Sequence, residues 1–319
     1  ASHGRRRFVG YVGARDRPEG TAGQDRQNSC EVLSRDQKPT RVLAVPQAIR
    51  PVIGVFDSGL GGLSVLGALA EICPAADLVY AADTAHVPYG NKTSEQIRAR
   101  VLVMGQALIE QGCTTLVVAC NTATAEAIEA LRAAHPSIPV VGVEPGIKPA
   151  ALHTQSGHIA VLATVATSKS QRLAQLIVRH APNKVVHIIP CHGWATEVEA
   201  LHLNAPSIIA EAEATLLPLI REGVDQVVLG CTHYDFLVPT LSKLIGGKAQ
   251  LVGVAGAVAL QACKVSGAEA LTGTGSIRLF ATAKPERLAV ALPALGLNTL
   301  IHRQTNPAQH LDIHSSSTD

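Results

Sequence analysis

Two cysteines stand where a thiol could do chemistry. Cys120 closes the apolar run from Thr115 to Ala119 and is followed by Asn121-Thr122, good capping residues for a helix expected to begin near Ala123; Cys231 closes the run from Gln226 to Gly230 and is followed by Thr232-His233. A free thiol titrates at about 8.5, and a helix N-terminus lowers that value and favours the thiolate, the form that takes protons or attacks carbon. Polar flanks of this kind set the two apart from Cys30, Cys73, Cys113 and Cys263, which read as inert core thiols. His233 and the pair Cys191-His192 could ligate a metal. Zinc sites, however, gather three or four ligands at short spacings, and no CxxC accompanies these residues. A general acid–base partner for the nearby thiol is the better use of His233.

The run Gly59-Leu-Gly-Gly-Leu-Ser64 follows an apolar strand pattern, yet it fails as a dinucleotide fingerprint because its third glycine would fall at Ser64. It reads instead as a loop that lets backbone approach a small anion. Asp57 just before it is a strand-end carboxylate that can cap, ligate or handle a proton. Pro88-Tyr-Gly-Asn91 reads as a turn from which the Tyr89 hydroxyl can reach a cleft.

These residues need a scaffold, and the pattern around them supplies one. Short β-branched runs alternate with longer helical stretches: Val52–Phe56, Asp77–Ala81, Thr115–Ala119, Val140–Val143, Ile159–Leu162, Val185–Ile189, Asp225–Leu229 and Gln250–Val254. Such alternation predicts parallel α/β sheets, in which ligands bind at the carboxyl ends of the strands. A faint internal repeat aligns Ile53-Gly-Val-Phe-Asp-Ser58 with Ile159-Ala-Val-Leu-Ala-Thr164. It also aligns Leu116-Val-Val-Ala-Cys120 with Val227-Val-Leu-Gly-Cys231. Two similar halves would face their thiols across one cleft. The predicted fold class is therefore α/β: two pseudo-symmetric domains, each a mainly parallel sheet flanked by helices, with the active site between them. The expected division is 51–147 plus 257–300 for the first domain and 148–256 for the second, with a polar tail at 301–319.

Hydrophobic residues make up 47% of the chain and aromatics only 3%, a balance that suits buried strands covered by small-residue helices. A net charge of +2 argues against direct nucleic-acid binding, which needs a concentrated basic face. The uncharged stretch Ala249–Cys263 is too short to span a bilayer, so no membrane association is expected. Seven cysteines without framework spacing read as reduced thiols in a cytoplasmic protein. Residues 1–50, with nine Arg and one Lys against five acids and little periodicity, read as a flexible N-terminal extension.

Taken together, the motifs closely resemble those of bacterial glutamate racemases. The resemblance rests on Ile53-Gly-Val-Phe-Asp-Ser-Gly-Leu-Gly-Gly-Leu-Ser-Val65, Asp83-Thr84 with Val87-Pro-Tyr-Gly90, Val118-Ala-Cys-Asn-Thr-Ala-Thr-Ala125, Val141-Gly-Val-Glu-Pro-Gly146 and Leu229-Gly-Cys-Thr-His-Tyr234. It runs from about residue 52 to 300. It implies two α/β domains around the site, no cofactor (neither pyridoxal phosphate, metal nor nucleotide), a homodimer, and supply of D-glutamate for peptidoglycan. Carried over by motif, Cys120 and Cys231 are the catalytic thiols, Asp57 the acid beside the first and His233 the histidine beside the second. Ser58, Pro88, Tyr89, Gly90, Asn121, Thr122 and Thr232 match substrate-holding positions. Glu199 matches a glutamate that supports the second thiol, with Glu197 as competitor because Cys191-His-Gly-Trp-Ala-Thr-Glu-Val-Glu199 departs from the family pattern. Asp235 stands where the family usually has proline. Aspartate and hydantoin racemases are rival readings at the level of substrate. A regulatory role through DNA gyrase, served by the N-terminal arm, is the non-enzymatic one.

Overall fold

The structure is a computed structural model and describes residues 50–313; the expected N-terminal extension lies almost wholly outside them. In chain order the first half runs β1 (Val52–Asp57), α1 (Leu63–Ile72), β2 (Asp77–Ala82), α2 (Ser94–Glu110), β3 (Thr115–Val118), α3 (Asn121–Ala134) and β4 (Val140–Gly142). The second comprises α4 (Ile147–His153), β5 (His158–Ala163), α5 (Val165–Lys169), α6 (Gln171–His180), β6 (Val185–Pro190), α7 (Trp194–Glu199), α8 (Pro206–Arg221), β7 (Gln226–Gly230), α9 (Val238–Ile245) and β8 (Gln250–Val252). The chain then returns through α10 (Ala255–Ser266), β9 (Ile277–Ala281), α11 (Glu286–Ala294), α12 (Asn298–Ile301) and β10 (Gln309–His310).

Two wholly parallel sheets result, one in the order β10-β9-β2-β1-β3-β4 and one in the order β6-β5-β7-β8. The second order repeats the β2-β1-β3-β4 core of the first, so the faint sequence repeat is a topological one. Strands β3 and β7 are buried along their whole length, which is why they read as unbroken apolar runs rather than alternating ones. Each sheet carries apolar clusters on both faces. Burying a single Val, Leu or Ile side chain of this kind contributes about 1.5–3 kcal/mol. The chain reverses strand order beside β1 in one sheet and beside β5 in the other. The carboxyl ends of β1, β3, β5 and β7 are therefore where a ligand crevice belongs.

Three sequence expectations change. Cys73 and Cys263 are joined in a disulfide rather than both reduced. Helices α1 and α10 pack side by side and bring the two Cα atoms to 6.1 Å, within bridging range, across 190 residues of sequence that concealed the pairing. The segment after residue 300 is not a free polar tail over its described length. Its β10 pairs with β9, Leu311 is buried, and Arg303 donates to the carbonyls of Gly275, Ala70 and Ala76. Helix α3 begins at Asn121, not near Ala123, so Cys120 itself occupies the N-cap position.

Candidate active site

Asp57 is the last residue of β1 and is fully buried. Its Oδ2 accepts the Gly62 amide at 2.7 Å, and its other oxygen lies 3.5 Å from the Ser58 hydroxyl. Burial pushes this carboxyl up, against the opposing influence of His233. One strand over, the Cys120 thiol lies 3.8 Å from the Ser58 oxygen. Burial, then the Asp57 carboxylate, holds that thiol well above its ordinary range, so it carries its proton at neutral pH.

The second thiol has a different neighbour. Cys231 follows β7, and its sulfur lies 3.6 Å from Nδ1 of His233. Nε2 of His233 meets Oε1 of Glu199 at 2.7 Å. Burial disfavours the imidazolium, but the bonds to Cys231 and Glu199 outweigh it and raise His233 well above its usual range. Burial likewise raises Glu199, yet His233 and the Leu60 amide more than offset this and hold the carboxyl low. A protonated histidine beside Cys231 is thus stabilised by a buried carboxylate. No α-helix begins at this thiol: Thr232–Leu237 is a 3-10 turn, and the nearest polar partner of the sulfur is the His233 ring.

The glycine-rich loop finds its anion within the protein. The Leu60 amide donates to Glu199 Oε1 at 2.6 Å, tying the loop after β1 to the end of α7. A Cβ on Gly59 would collide with the Glu199 carboxylate, and one on Gly61 with the His233 ring. Close approach of the two halves therefore requires glycine at both positions.

Both sulfurs line a single pocket, and both cysteines are 6% exposed. Of the residues singled out in the sequence, Ser58, Pro88, Tyr89, Gly90, Asn121, Thr122 and His233 also line it. Asp57 and Glu199 stand behind the two thiols, and Thr232 is buried in its turn without reaching the wall. The Tyr89 hydroxyl is not free for the cleft; it donates to Asp83 at 2.6 Å while the residue lines the pocket. The Asn121 amide, on the pocket wall, is buried with neither its nitrogen nor its oxygen bonded to protein, which leaves both groups open to a partner in the pocket. Glu197 pairs with His202 instead of His233. Sequence reasoning did not place Thr164, Val165 or the wall formed by Cys191, His192, Gly193, Ala195 and Thr196 at the pocket, having weighed Cys191-His192 only as metal ligands. The repeat held the signal for Thr164, which aligns with Ser58, and the strand-end rule pointed to Cys191 after β6. No three His, Cys, Asp or Glu side chains converge to hold a metal among the described residues.

With this geometry in view, the similarities to known proteins are specific. A family model for Asp/Glu/hydantoin racemases matches residues 53–262. The glutamate racemase of Pseudomonas aeruginosa is 44% identical over 246 residues, covering 76% of this chain and 93% of that protein. Among solved structures, Escherichia coli glutamate racemase in complex with L-glutamate and the activator UDP-MurNAc-Ala matches with a TM-score of 0.71 and 31% identity, over 83% of this chain and 100% of that one. Francisella tularensis glutamate racemase in complex with D-glutamate matches with a TM-score of 0.68 and 26% identity, over 85% and 99%. The chain belongs to the Asp/Glu/hydantoin racemase family, and is an isomerase of that kind. Within the family it groups with the glutamate racemases. Among the described residues no helix is long and apolar enough to cross a membrane.

Proposed function

We propose that this racemase interconverts L- and D-glutamate without a cofactor, using Cys120 and Cys231 on opposite faces of the α-carbon. The observation that carries the reading is the sharing of one pocket by two strand-end thiols, each with its own buried acid–base partner. Racemisation removes a proton from one face of Cα and returns one to the other, so two groups avoid the need for a single base to change sides. The different surroundings of the two thiols suit a defined direction. Cys231, beside His233, takes the α-proton of L-glutamate. Cys120, held protonated by burial and Asp57, delivers a proton to the opposite face. The reverse reaction exchanges the roles.

The unbonded Asn121 amide, the Ser58 hydroxyl and the start of α3 at Asn121-Thr122 are suited to the substrate's amino and carboxylate groups. Such donors would also stabilise the enolate-like charge that develops on the α-carboxylate. Pro88, Tyr89 and Gly90 would complete the grip from the facing wall, with Thr232 fixing the turn that carries His233. The product would supply D-glutamate for peptidoglycan from the cytoplasm, through a homodimer. Sedimentation of the purified chain checks the dimer. A pull-down with and without residues 1–50 checks contact between that arm and DNA gyrase.

Circular dichroism of each glutamate isomer incubated with the purified protein tests the activity: both solutions should decay to zero ellipticity. A folded sample that leaves both signals constant overturns the reading. A parallel panel with aspartate and hydantoins fixes the substrate within the family.

A further inference from the structure

One heavily built cluster lies outside the proton-transfer machinery. Asp83 follows β2 at its carboxyl end, is fully buried and does not line the pocket. Its two oxygens accept from five donors. Arg100 of α2 bonds through Nε at 2.8 Å and Nη2 at 2.9 Å; the Tyr89 hydroxyl approaches to 2.6 Å, Thr282 after β9 to 2.9 Å and His86 Nδ1 to 3.0 Å. With every acceptor direction filled, this carboxylate has no capacity for acid–base work. Nor is a buried Arg–Asp pair by itself an efficient source of stability, since its desolvation offsets its attraction. What it does well is fix geometry: a two-toothed guanidinium contact and a short phenol bond leave little freedom of orientation.

The geometry that it fixes is the front wall of the pocket. His86 and Tyr89 tie the loop between β2 and α2 to one carboxylate at two points. The Ala85 amide bonds Thr282 at 3.0 Å, and Thr84 exchanges hydrogen bonds with Ala283. Beyond Tyr89, the short turn Tyr89–Asn91 packs against α5 of the other sheet's layer, and Gly90 faces Thr164 across the mouth of the pocket. A displacement of Asp83 or Arg100 would therefore be felt as a change in the width of that mouth.

We infer that Asp83 and Arg100 are positioning residues, which hold the Pro88–Asn91 wall against Thr164 and so set substrate binding and access to the two thiols. As far as substrate binding goes, this rests on the glutamate reading above; as far as thiol access goes, it stands independently. Two variants test it in the full-length protein: Arg100→Lys, which keeps the charge and loses the fork, and Thr282→Val, which removes one donor to Asp83 and spares the ion pair. Labelling of Cys120 and Cys231 by iodoacetamide, followed by peptide mass spectrometry with Cys113 as internal reference, needs no turnover. Both variants should label the pocket thiols several-fold faster, with Cys113 unchanged, because local opening exposes only that wall. KM for both glutamate isomers should rise about tenfold, with kcat within about threefold of the parent and the limbs of its pH profile unmoved.

Methylguanidine should restore KM in Arg100→Ala, if that variant folds. Unchanged labelling of Cys120 and Cys231 in both variants overturns the inference. So does faster labelling of all three cysteines together, which would mean general loosening. Failure of the parent protein to racemise glutamate counts against the substrate reading alone, because the labelling rates still decide the role of Asp83 and Arg100.

Discussion

The two thiols occupy equivalent ends of equivalent strands, yet their surroundings differ in sign. Around Cys120 the neighbours are a hydroxyl and a carboxyl raised by burial, and the sulfur keeps its proton. Around Cys231 a histidine, kept cationic by a carboxylate behind it, faces the sulfur. A duplicated scaffold thus supplies position, and the side chains behind each sulfur give the two ends different surroundings. The difference teaches that pseudo-symmetry of fold coexists with asymmetry of charge.

Removing either sulfur is the most severe way to break the comparison. Cys120→Ser and Cys231→Ser should each lower kcat by at least about a thousandfold in both directions, because each group acts in both. Loss in only one direction at steady state would contradict a two-thiol site. Next in size, Glu199→Gln removes the carboxylate behind His233 and should lower kcat about a hundredfold. The same change sharpens the electrostatics. His233 has a raised native pKa, so its contribution to stability is present below its unfolded value of about 6.5 and fades as pH rises through the native one. Glu199 has a lowered pKa, so its contribution is present above its unfolded value of about 4.3 and fades as pH falls through the native one. Urea unfolding should therefore show the largest gap between parent and Glu199→Gln at about pH 5–6.5, on the order of 3 kcal/mol for a broken buried pair, narrowing on both sides. A gap that does not vary with pH would separate the pair from stability.

A smaller effect is expected at Gly59. Gly59→Ala forces a methyl against the Glu199 carboxylate and should lower kcat about tenfold while both thiols remain present. Retention of full kcat would show that the loop yields freely. Smallest of all is Asp235, whose carboxyl burial pushes up to about 6 beside Ser64 and Gly253. Because an acid with a raised pKa loses stability as pH rises toward that value, Asp235→Asn should gain about 1–2 kcal/mol above pH 6. The gain should shrink toward pH 4, and kcat should hardly change. Thermal unfolding across that range checks it.

Much of this site was legible in the sequence because buried parallel strands announce themselves as short apolar runs, and polar residues at their ends stand out. That is how Asp57, Cys120 and Cys231 could be picked, and why the repeat linked the two halves. The choice between Glu199 and Glu197 was not legible. Both sit in one short helix, two positions apart, and a helix points such residues to different sides; only packing shows that 199 turns inward to His233 and 197 outward to His202. The partners of Asp83 were hidden for a similar reason, since Arg100 comes from α2, 17 residues on, and Thr282 from the end of β9, 199 residues on. The glycine loop reads in the sequence as an approach for a small anionic ligand, whereas the anion that its Leu60 amide meets is a side chain 139 residues away.

That last contact has a mechanical consequence. One oxygen of Glu199 is shared between an amide on the far side of the crevice and the imidazole next to Cys231. Any shift of the loop after β1 away from α7 would therefore pull on the same atom that orients the imidazole, so the latch between the halves and the setting of His233 stand or fall together.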